Sequence, residues 1–195
     1  MRRLTSRALA LALTVLGVLP LTAQSYQVAR VTTPLGEIRF LLDNRTPQHK
    51  AAFMRFAAAG YFDTLTFNRV IPHFVAQGGC PDVPEGFAKY PNLLQPEFHD
   101  SLRHRYGAVG AGHDGNAQSI DPGCQFYIVV NQDGLKRLDG KFTVFGQVFQ
   151  GMDVAERIVH LPRDTTDQPH RPMTLKVEVI TMTADELRRA GVKLP

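Results

Sequence analysis

The sequence lacks the common signatures of hydrolytic and metal-dependent enzymes. Its seven histidines are scattered, and none forms the His-Glu-x-x-His pattern that places two zinc ligands on one helix face. It has no Gly-x-Ser-x-Gly segment, which would mark the nucleophile of a serine hydrolase. A metal hydrolase and a Ser–His–Asp hydrolase are therefore disfavoured, and we expect neither a metal site nor a cofactor.

The N-terminal segment lacks acidic residues and has the layout of a secretory signal peptide. Arg2, Arg3 and Arg7 precede an uncharged, mostly apolar run over residues 8–21, and the small residue Ala23 follows it. The run is shorter than the roughly 20 residues of a transmembrane helix. We expect cleavage near Ala23, and an uncleaved N-terminal anchor is the less favoured alternative.

Excess charge is also lacking once this segment is set aside. Residues 1–23 hold three of the 22 Lys+Arg and none of the 18 Asp+Glu, so residues 24–195 carry 19 basic against 18 acidic side chains, a net charge of +1. The basic pI therefore gives no support to nucleic-acid binding, which needs a retained basic surface.

Cysteine is scarce, since the chain holds only Cys80 and Cys124. Two cysteines in an exported protein favour a disulfide, whereas in a cytoplasmic protein two free thiols would be the better interpretation. The signal-peptide pattern predicts an exported protein, either periplasmic or secreted further, and no membrane association after cleavage.

The chain has no βαβ repeats, internal repeats or low-complexity tracts, and its pattern is mainly β. Strand-like runs cover residues 26–33, 36–42, 66–71, 74–77, 107–111, 125–130, 143–149 and 174–182. Helical patterns begin at Thr46 and at Met152, and a capping-box pattern at Thr183 starts a brief C-terminal helix. This set favours one domain over residues 24–195, built as a closed antiparallel β-barrel with helices covering its ends.

The run over residues 66–71 places a cation among apolar side chains. If the strand alternates regularly, Phe67, Arg69 and Ile71 share one face and Asn68 and Val70 the other. Arg69 is then either a surface residue at a sheet edge or a functional group. The strand pattern alone does not decide between the two.

The segment Phe-Asn-Arg-Val-Ile-Pro-His-Phe-Val-Ala-Gln-Gly-Gly at residues 67–79 resembles the signature of the cyclophilin-type peptidyl-prolyl isomerases. The resemblance continues in family order through Pro-Glu-Phe at 96–98, Gly-Ala-Val at 107–109, Gln-Phe-Tyr-Ile at 125–128 and Leu-Asp-Gly-Lys-Phe-Thr-Val-Phe-Gly at 138–146. It implies an eight-stranded barrel capped by two α-helices, with a proline-binding groove on the outer face of one sheet. It also implies isomerase activity on proline-containing polypeptides that requires no cofactor.

The resemblance assigns roles to individual residues. Arg69 matches the catalytic arginine of the family, and Phe74 matches the floor of the pocket for the substrate proline. Gln77 and Gln125 match the polar residues that position the arginine and the substrate backbone. The other predicted substrate-binding residues are Ile71, Val75, Gly112, His113, Tyr127, Leu138 and Phe142. Among them, Gly112 and His113 match the strand edge that hydrogen-bonds the residue before proline.

Several positions depart from the family pattern. Arg137 stands where some members have tryptophan, and Asn68 where histidine is frequent. The loop after Gly79 is altered, with Cys80 where an acid is common and Cys124 where serine is common. These cysteines flank the two strands that form the groove, so the resemblance supports a disulfide between them.

The implied reaction needs little chemical machinery. Rotation about an X–Pro bond must overcome a barrier of ~18–20 kcal/mol set by amide resonance. An arginine that donates to the proline nitrogen lowers this barrier, because the nitrogen gains lone-pair character only when the bond twists. Arginine stays charged, so a flat pH–rate profile is expected. The alternative function is a non-catalytic proline-peptide-binding or chaperone module on the same fold, and we expect a monomer.

Overall fold

The computed structural model describes residues 24–80, 86, 87, 90 and 93–194. The predicted signal peptide at 1–23 and the altered loop at 81–85 lie outside these residues. The strands are β1 (Ser25–Thr33), β2 (Gly36–Leu42), β3 (Thr66–Ile71), β4 (Val75–Gly78), β5 (Ala108–Ala111), β6 (Phe126–Val129), β7 (Val144–Gln150), β8 (Met173–Thr174) and β9 (Lys176–Thr183). The helices are α1 (Pro47–Ala58), α2 (Met152–Val159) and α3 (Ala184–Arg189).

One curled antiparallel sheet contains all nine of these strands, in the order β8-β3-β4-β6-β5-β7-β2-β1-β9. Its two edges, β8 and β9, are consecutive in the chain and are separated only by Leu175, whose N–H donates to the carbonyl of Leu65 at 3.0 Å. One segment of chain therefore lies along both edges of the sheet. The prediction of a mainly β, antiparallel, barrel-like fold is confirmed. Nine strands replace the predicted eight because the last one is interrupted at Leu175.

An aromatic core fills the inside of the curled sheet. The ring of Phe53 on α1 lies 5.4 Å from Phe40, 5.2 Å from Phe62 and 5.8 Å from Phe126, measured between centroids. All four side chains are buried. Edge-to-face and tilted contacts of this kind add to the free energy of apolar burial, so α1 is held against the sheet by its own aromatic face. We call this cluster the main core.

The start of α1 is capped by a distant residue. Thr46 is the N-cap residue, where the sequence pattern places the start of the helix, but its side chain makes no capping hydrogen bond. The carboxylate of Glu97 accepts instead from the backbone N–H groups of Gln48 at 3.0 Å and His49 at 2.9 Å. A carboxylate at this position satisfies unpaired N–H groups and complements the helix dipole.

His49 is buried between two carboxylates. Its Nδ1 lies 2.6 Å from Glu97 Oε2, and its Nε2 lies 2.9 Å from Asp121 Oδ2. Burial lowers the pKa of His49, but the hydrogen bonds and charges of Asp121 and Glu97 outweigh it, so the pKa is raised above its ordinary value. Through these two carboxylates the ring ties α1 to the segments before and after β5.

A β-bulge at Asn68 overturns the predicted alternation of β3. Phe67 pairs with Gly78 and Arg69 with Gln77, so Asn68 is an extra residue without a partner in the register. Phe67 is consequently buried in the main core with Val70, while Arg69 is half-buried on the opposite face. The prediction that Phe67 shares a face with Arg69 is wrong, because period-2 alternation fails across a bulge.

Cys80 and Cys124 form a disulfide, with their Cα atoms 5.4 Å apart. It joins the end of the β3–β4 hairpin to the residue before Gln125. Gly79 has a φ of 103°, and a side chain there would collide with the carbonyl of Cys124, so only glycine fits beside the bridge.

In the part of the chain that the structure describes, no helix is both long and apolar enough to cross a membrane.

Removing the disulfide is expected to lower the free energy of unfolding by roughly 4 kcal/mol, because the bridge closes a loop between residues 44 positions apart and restricts the unfolded chain. The measurement is urea unfolding of the Cys80→Ser/Cys124→Ser double variant against the oxidised protein. Unfolding of the wild type in a reductant serves as the control and should match the variant. Equal stability of all three samples would contradict the prediction.

Candidate active site

A cavity of about 340 Å³ opens on the outer face of the sheet, opposite the main core. The strand β6 shows the division, since Phe126 and Ile128 belong to the main core while Tyr127 and Val129 belong to a second apolar cluster. The cavity is lined by Arg69, Phe74, Val75, Gln77, Gly86, Phe87, Gly112, His113, Asp114, Gln125, Tyr127, Leu138 and Phe142. The structure thus brings together ten of the eleven predicted catalytic and substrate-binding residues.

A row of paired residues crosses the floor of the cavity. Arg69 on β3 pairs with Gln77 on β4, Gln77 pairs with Tyr127 on β6, and Tyr127 pairs with Gly110 on β5. A side chain at Gly110 would collide with the ring of Tyr127. The absence of a side chain at Gly110 therefore gives the Tyr127 ring the space it occupies over the neighbouring strand.

The Arg69 guanidinium is the cation of this row. Within the described part of the chain it makes no hydrogen bond or ion pair, and Gln77 lies beside it without bonding to it. The bulge at Asn68 turns the side chain to the outer face, where it lines the cavity with Phe74. Its five N–H donors are therefore available to a ligand.

Apolar side chains form one wall of the cavity. Phe74 and Phe142 are half-buried and pack against the buried side chains of Leu138 and Val75. The rings of Tyr127 and Phe142 meet edge to face, with centroids 6.1 Å apart. Such a wall excludes water and suits a compact apolar ring.

The opposite end of the cavity is built by the segment after β5. The His113 ring stacks on Phe142 at 4.0 Å between centroids. Its Nδ1 accepts from the N–H of Gly115 at 2.9 Å, which leaves Nε2 to donate to the carbonyl of Lys141 at 3.0 Å. The Gly112 N–H donates to the Gln125 carbonyl at 2.9 Å, so this donor is already engaged by the sheet.

Gln125 joins the cavity to the disulfide. Its side chain is buried, and its Nε2 donates to the carbonyl of Cys80 at 3.1 Å. Because Cys124 is the preceding residue, the bridge fixes both the strand start and the carbonyl that holds the amide. The orientation of Gln125 in the cavity thus depends on the hairpin end that the disulfide anchors.

A buried hydrogen-bonded chain supports the Tyr127 ring from behind. Burial raises the pKa of Tyr127 well above its ordinary value, so the hydroxyl keeps its proton and donates to Nε2 of His104 at 2.8 Å. The other ring nitrogen of His104 donates to Asp139 Oδ1 at 2.8 Å. Burial lowers the pKa of His104 and outweighs the attraction of Asp139, so the ring is neutral.

Three residues of the cavity lining escape the sequence-based prediction, namely Gly86, Phe87 and Asp114. The Asp114 carboxylate accepts from the N–H of Phe87 at 3.0 Å and from the side chain of Asn116 at 2.7 Å. The hydrogen bond from Asn116, followed by that from Phe87, lowers the pKa of Asp114. No motif in the sequence distinguishes these three residues, so the pattern offers no signal for them.

Ile71 is the one predicted site residue that does not line the cavity. It pairs with Val75 across the β3–β4 hairpin, and its carbonyl accepts from the N–H of Phe74 at 3.1 Å. As the partner of Val75, Ile71 shares the outer face of the sheet with the cavity. It lies at the hairpin end of that face, outside the lining.

The family model described as cyclophilin type peptidyl-prolyl cis-trans isomerase/CLD matches residues 28–179. The chain belongs to the cyclophilin-type peptidyl-prolyl cis-trans isomerase family. The match covers every strand that lines the cavity and most of the barrel.

Two curated cyclophilin-type relatives show the extent of the similarity. The chain is 33% identical over 140 residues to the peptidyl-prolyl cis-trans isomerase CYP18-2 of Arabidopsis thaliana. This match covers 69% of this chain and 82% of the relative. It is 34% identical over 148 residues to the peptidyl-prolyl cis-trans isomerase ppi1 of Schizosaccharomyces pombe, covering 73% of this chain and 92% of the relative.

A solved cyclophilin structure shows the same fold. The cyclophilin type peptidyl-prolyl cis-trans isomerase of Cryptosporidium parvum, solved in the presence of the dipeptide Ala-Pro, superposes with a TM-score of 0.68 at 23% identity. The match covers 80% of this chain and 99% of that structure. The family match and the curated relatives identify the chain as a peptidyl-prolyl cis-trans isomerase.

The two buried histidines are expected to titrate on opposite sides of about 6.5, the ordinary histidine pKa. His49 has a raised pKa, so its stabilisation is complete below about pH 6.5 and is lost as the pH rises through the folded-state pKa. His104 has a lowered pKa, so stability is lost as the pH falls from about 6.5 through its folded-state pKa.

An NMR titration of the two histidine rings measures both pKa values, and the assignments come from His49→Gln and His104→Gln variants. Loss of one resonance from each variant's spectrum is the control. Two pKa values on the same side of 6.5 would contradict the geometry described above.

Proposed function

We propose that the chain isomerises X–Pro bonds in this cavity through Arg69, and that its substrates are exported polypeptides. The observation that carries the proposal is a half-buried guanidinium with unused donors beside an apolar wall centred on Phe74. A structural arginine would be paired, whereas a group that binds a transient partner keeps its donors free.

The proline ring is held by the apolar wall. Phe74, Leu138 and Phe142 supply a site from which water is excluded, and they contact the pyrrolidine ring without hydrogen bonds. The wall holds this ring in place while the preceding residue rotates, and this rotation twists the X–Pro bond. The edge at Gly112 and His113 contacts the residue before proline in this arrangement.

Arg69 lowers the barrier by differential binding. In the planar amide the proline nitrogen shares its lone pair with the carbonyl group and accepts hydrogen bonds poorly. In the twisted transition state the lone pair is localised, and a guanidinium donor bonds to it strongly. No bond is cut and no electron is transferred, so a fixed donor and an apolar site are sufficient for the reaction.

A binding module without catalysis is the second candidate, because the same apolar wall could hold a proline segment. Catalysis accelerates a refolding phase of tens of seconds that is limited by proline isomerisation, whereas binding alone leaves its rate unchanged. The free donors of Arg69 favour catalysis, since a binding module has no need of a cation facing the proline nitrogen.

Arg69→Ala is expected to lower kcat/KM at least about 100-fold, the usual cost of removing a donor aimed at a transition state. The measurement is isomerisation of a short X–Pro peptide, followed by exchange NMR. Arg69→Lys is the matched control, because it keeps the charge but not the planar donor group, and should recover only part of the activity. Equal activity of the alanine variant and the wild type would refute the role of Arg69.

Export is supported by the N-terminal pattern and by the disulfide. Arg2, Arg3 and Arg7 before an apolar run form a signal peptide ending near Ala23, and Cys80–Cys124 suits an oxidising compartment such as the periplasm. There the enzyme assists the folding of exported proteins. One chain supplies every described residue of the cavity lining, so a monomer is sufficient for this activity.

The exported chain is expected to begin at or near Gln24, because the signal peptidase removes the segment before it. Mass spectrometry of the protein recovered from the periplasm gives the first residue. The Leu11→Arg/Leu13→Arg variant, in which the apolar run is interrupted, should remain in the cytoplasm and serves as the control. An intact chain recovered from the membrane fraction would instead favour the uncleaved anchor.

A further inference from the structure

A second cation lies at the Phe74 end of the cavity. The guanidinium carbon of Arg137 sits 4.7 Å from the centroid of the Phe74 ring, while the side chain as a whole is exposed. Cation–π attraction to the ring holds the guanidinium against the apolar wall. Phe74 is therefore covered at its outer side by a fixed positive charge.

The Arg137 donors have no partner in the described part of the chain. The contact with Phe74 is a cation–π contact, and no hydrogen bond or ion pair engages the guanidinium N–H groups. A guanidinium with unengaged N–H groups offers two parallel donors, which match the two oxygens of a carboxylate. The geometry is thus that of a receptor for an acidic side chain.

Phe74 and Gly112 mark opposite ends of the cavity along the strand direction. The Phe74 carbonyl accepts from the N–H of Val130, and the Gly112 N–H donates to the carbonyl of Gln125. The two partners, Gln125 and Val130, flank β6 and are five residues apart in the sequence. On an extended chain this separation corresponds to roughly 16 Å. A peptide in the cavity therefore places its two flanks at chemically different ends.

The Gly112 end carries the opposite charge. Asp114 is the only acidic residue in the described lining of the cavity, and it follows Gly112 by two positions. Hydrogen bonds from Asn116 and Phe87 lower its pKa and keep it ionised. An acidic residue on the substrate meets Asp114 at this end and Arg137 at the other.

We propose that Arg137 selects substrates that carry an acidic side chain immediately after the proline. The inference rests on the proposed function, in which the proline ring lies on Phe74 and the preceding residue lies at the Gly112 edge. The residue after proline then leaves the cavity past Phe74, within reach of the Arg137 guanidinium. Arg137 is a specificity-determining residue in this arrangement and takes no part in the bond rotation.

The test compares two peptides of identical composition and charge, Ala-Gln-Pro-Glu-Ala and Ala-Glu-Pro-Gln-Ala, each corrected for its uncatalysed rate. We expect kcat/KM to be about three-fold higher for the Pro-Glu peptide, the range of a partly exposed ion pair. The difference should reside mainly in KM, because the carboxylate binds equally in the ground and transition states. It should decrease in 0.5 M salt, which screens exposed charges.

Variants of the enzyme separate this inference from its alternatives. Arg137→Gln should lower the preference to the smaller difference that Asp114 imposes on the Glu-Pro peptide, and Arg137→Glu should lower it further. Arg188→Gln removes the same charge from α3, which packs on β9 away from the cavity strands, and should keep the wild-type ratio. Equal rates on the two peptides, or a preference that Arg137→Gln leaves unchanged, would overturn the inference. Failure of the proposed function is distinct, because Arg69→Ala would then match the wild type on both peptides.

Discussion

The strands that line the cavity must satisfy two apolar clusters at once, and this constraint governs the rest of the structure. β6 sends Phe126 into the main core and Tyr127 to the outer face, so neither side of the strand is open to ordinary surface residues. The bulge at Asn68 solves the same problem on β3. It buries Phe67 while releasing Arg69 outward, and a polar cation is thereby placed on an apolar face without cost to the core.

Two buried histidines hold this arrangement together, and their different partners explain why their pKa values shift in opposite directions. His49 lies between the carboxylates of Glu97 and Asp121, so a proton on each ring nitrogen is stabilised. His104 lies between one carboxylate, Asp139, and the hydroxyl of Tyr127, so one nitrogen must accept. His49 ties α1 to the segments that carry the two carboxylates, and His104 fixes the Tyr127 ring of the cavity.

Much of this structure could be predicted from the sequence, because motifs at known spacing carry both the strands and the residues between them. The elements, the Cys80–Cys124 bridge and ten of the thirteen described residues that line the cavity follow from such patterns. The bulge at Asn68 does not, since one extra residue leaves no mark in an apolar pattern. Phe87 and Asp114 meet through a backbone hydrogen bond across 27 positions, and Glu97 caps a helix that begins 50 residues earlier. Contacts of this kind depend on the completed fold.

The position of the last strand also determines when the protein can fold. β1 at the start of the barrel pairs with β9, and β3 pairs with β8. Both of these pairings need residues 173–183, which are synthesised long after β1 and β3. Pairings so distant in sequence carry a large entropic cost before any contact repays it, and they slow folding. A chain emerging from its N-terminus therefore leaves β1 and β3 with an unpaired side until residues 173–183 arrive. The cavity strand β3 therefore gains its second neighbour only when β8 has emerged.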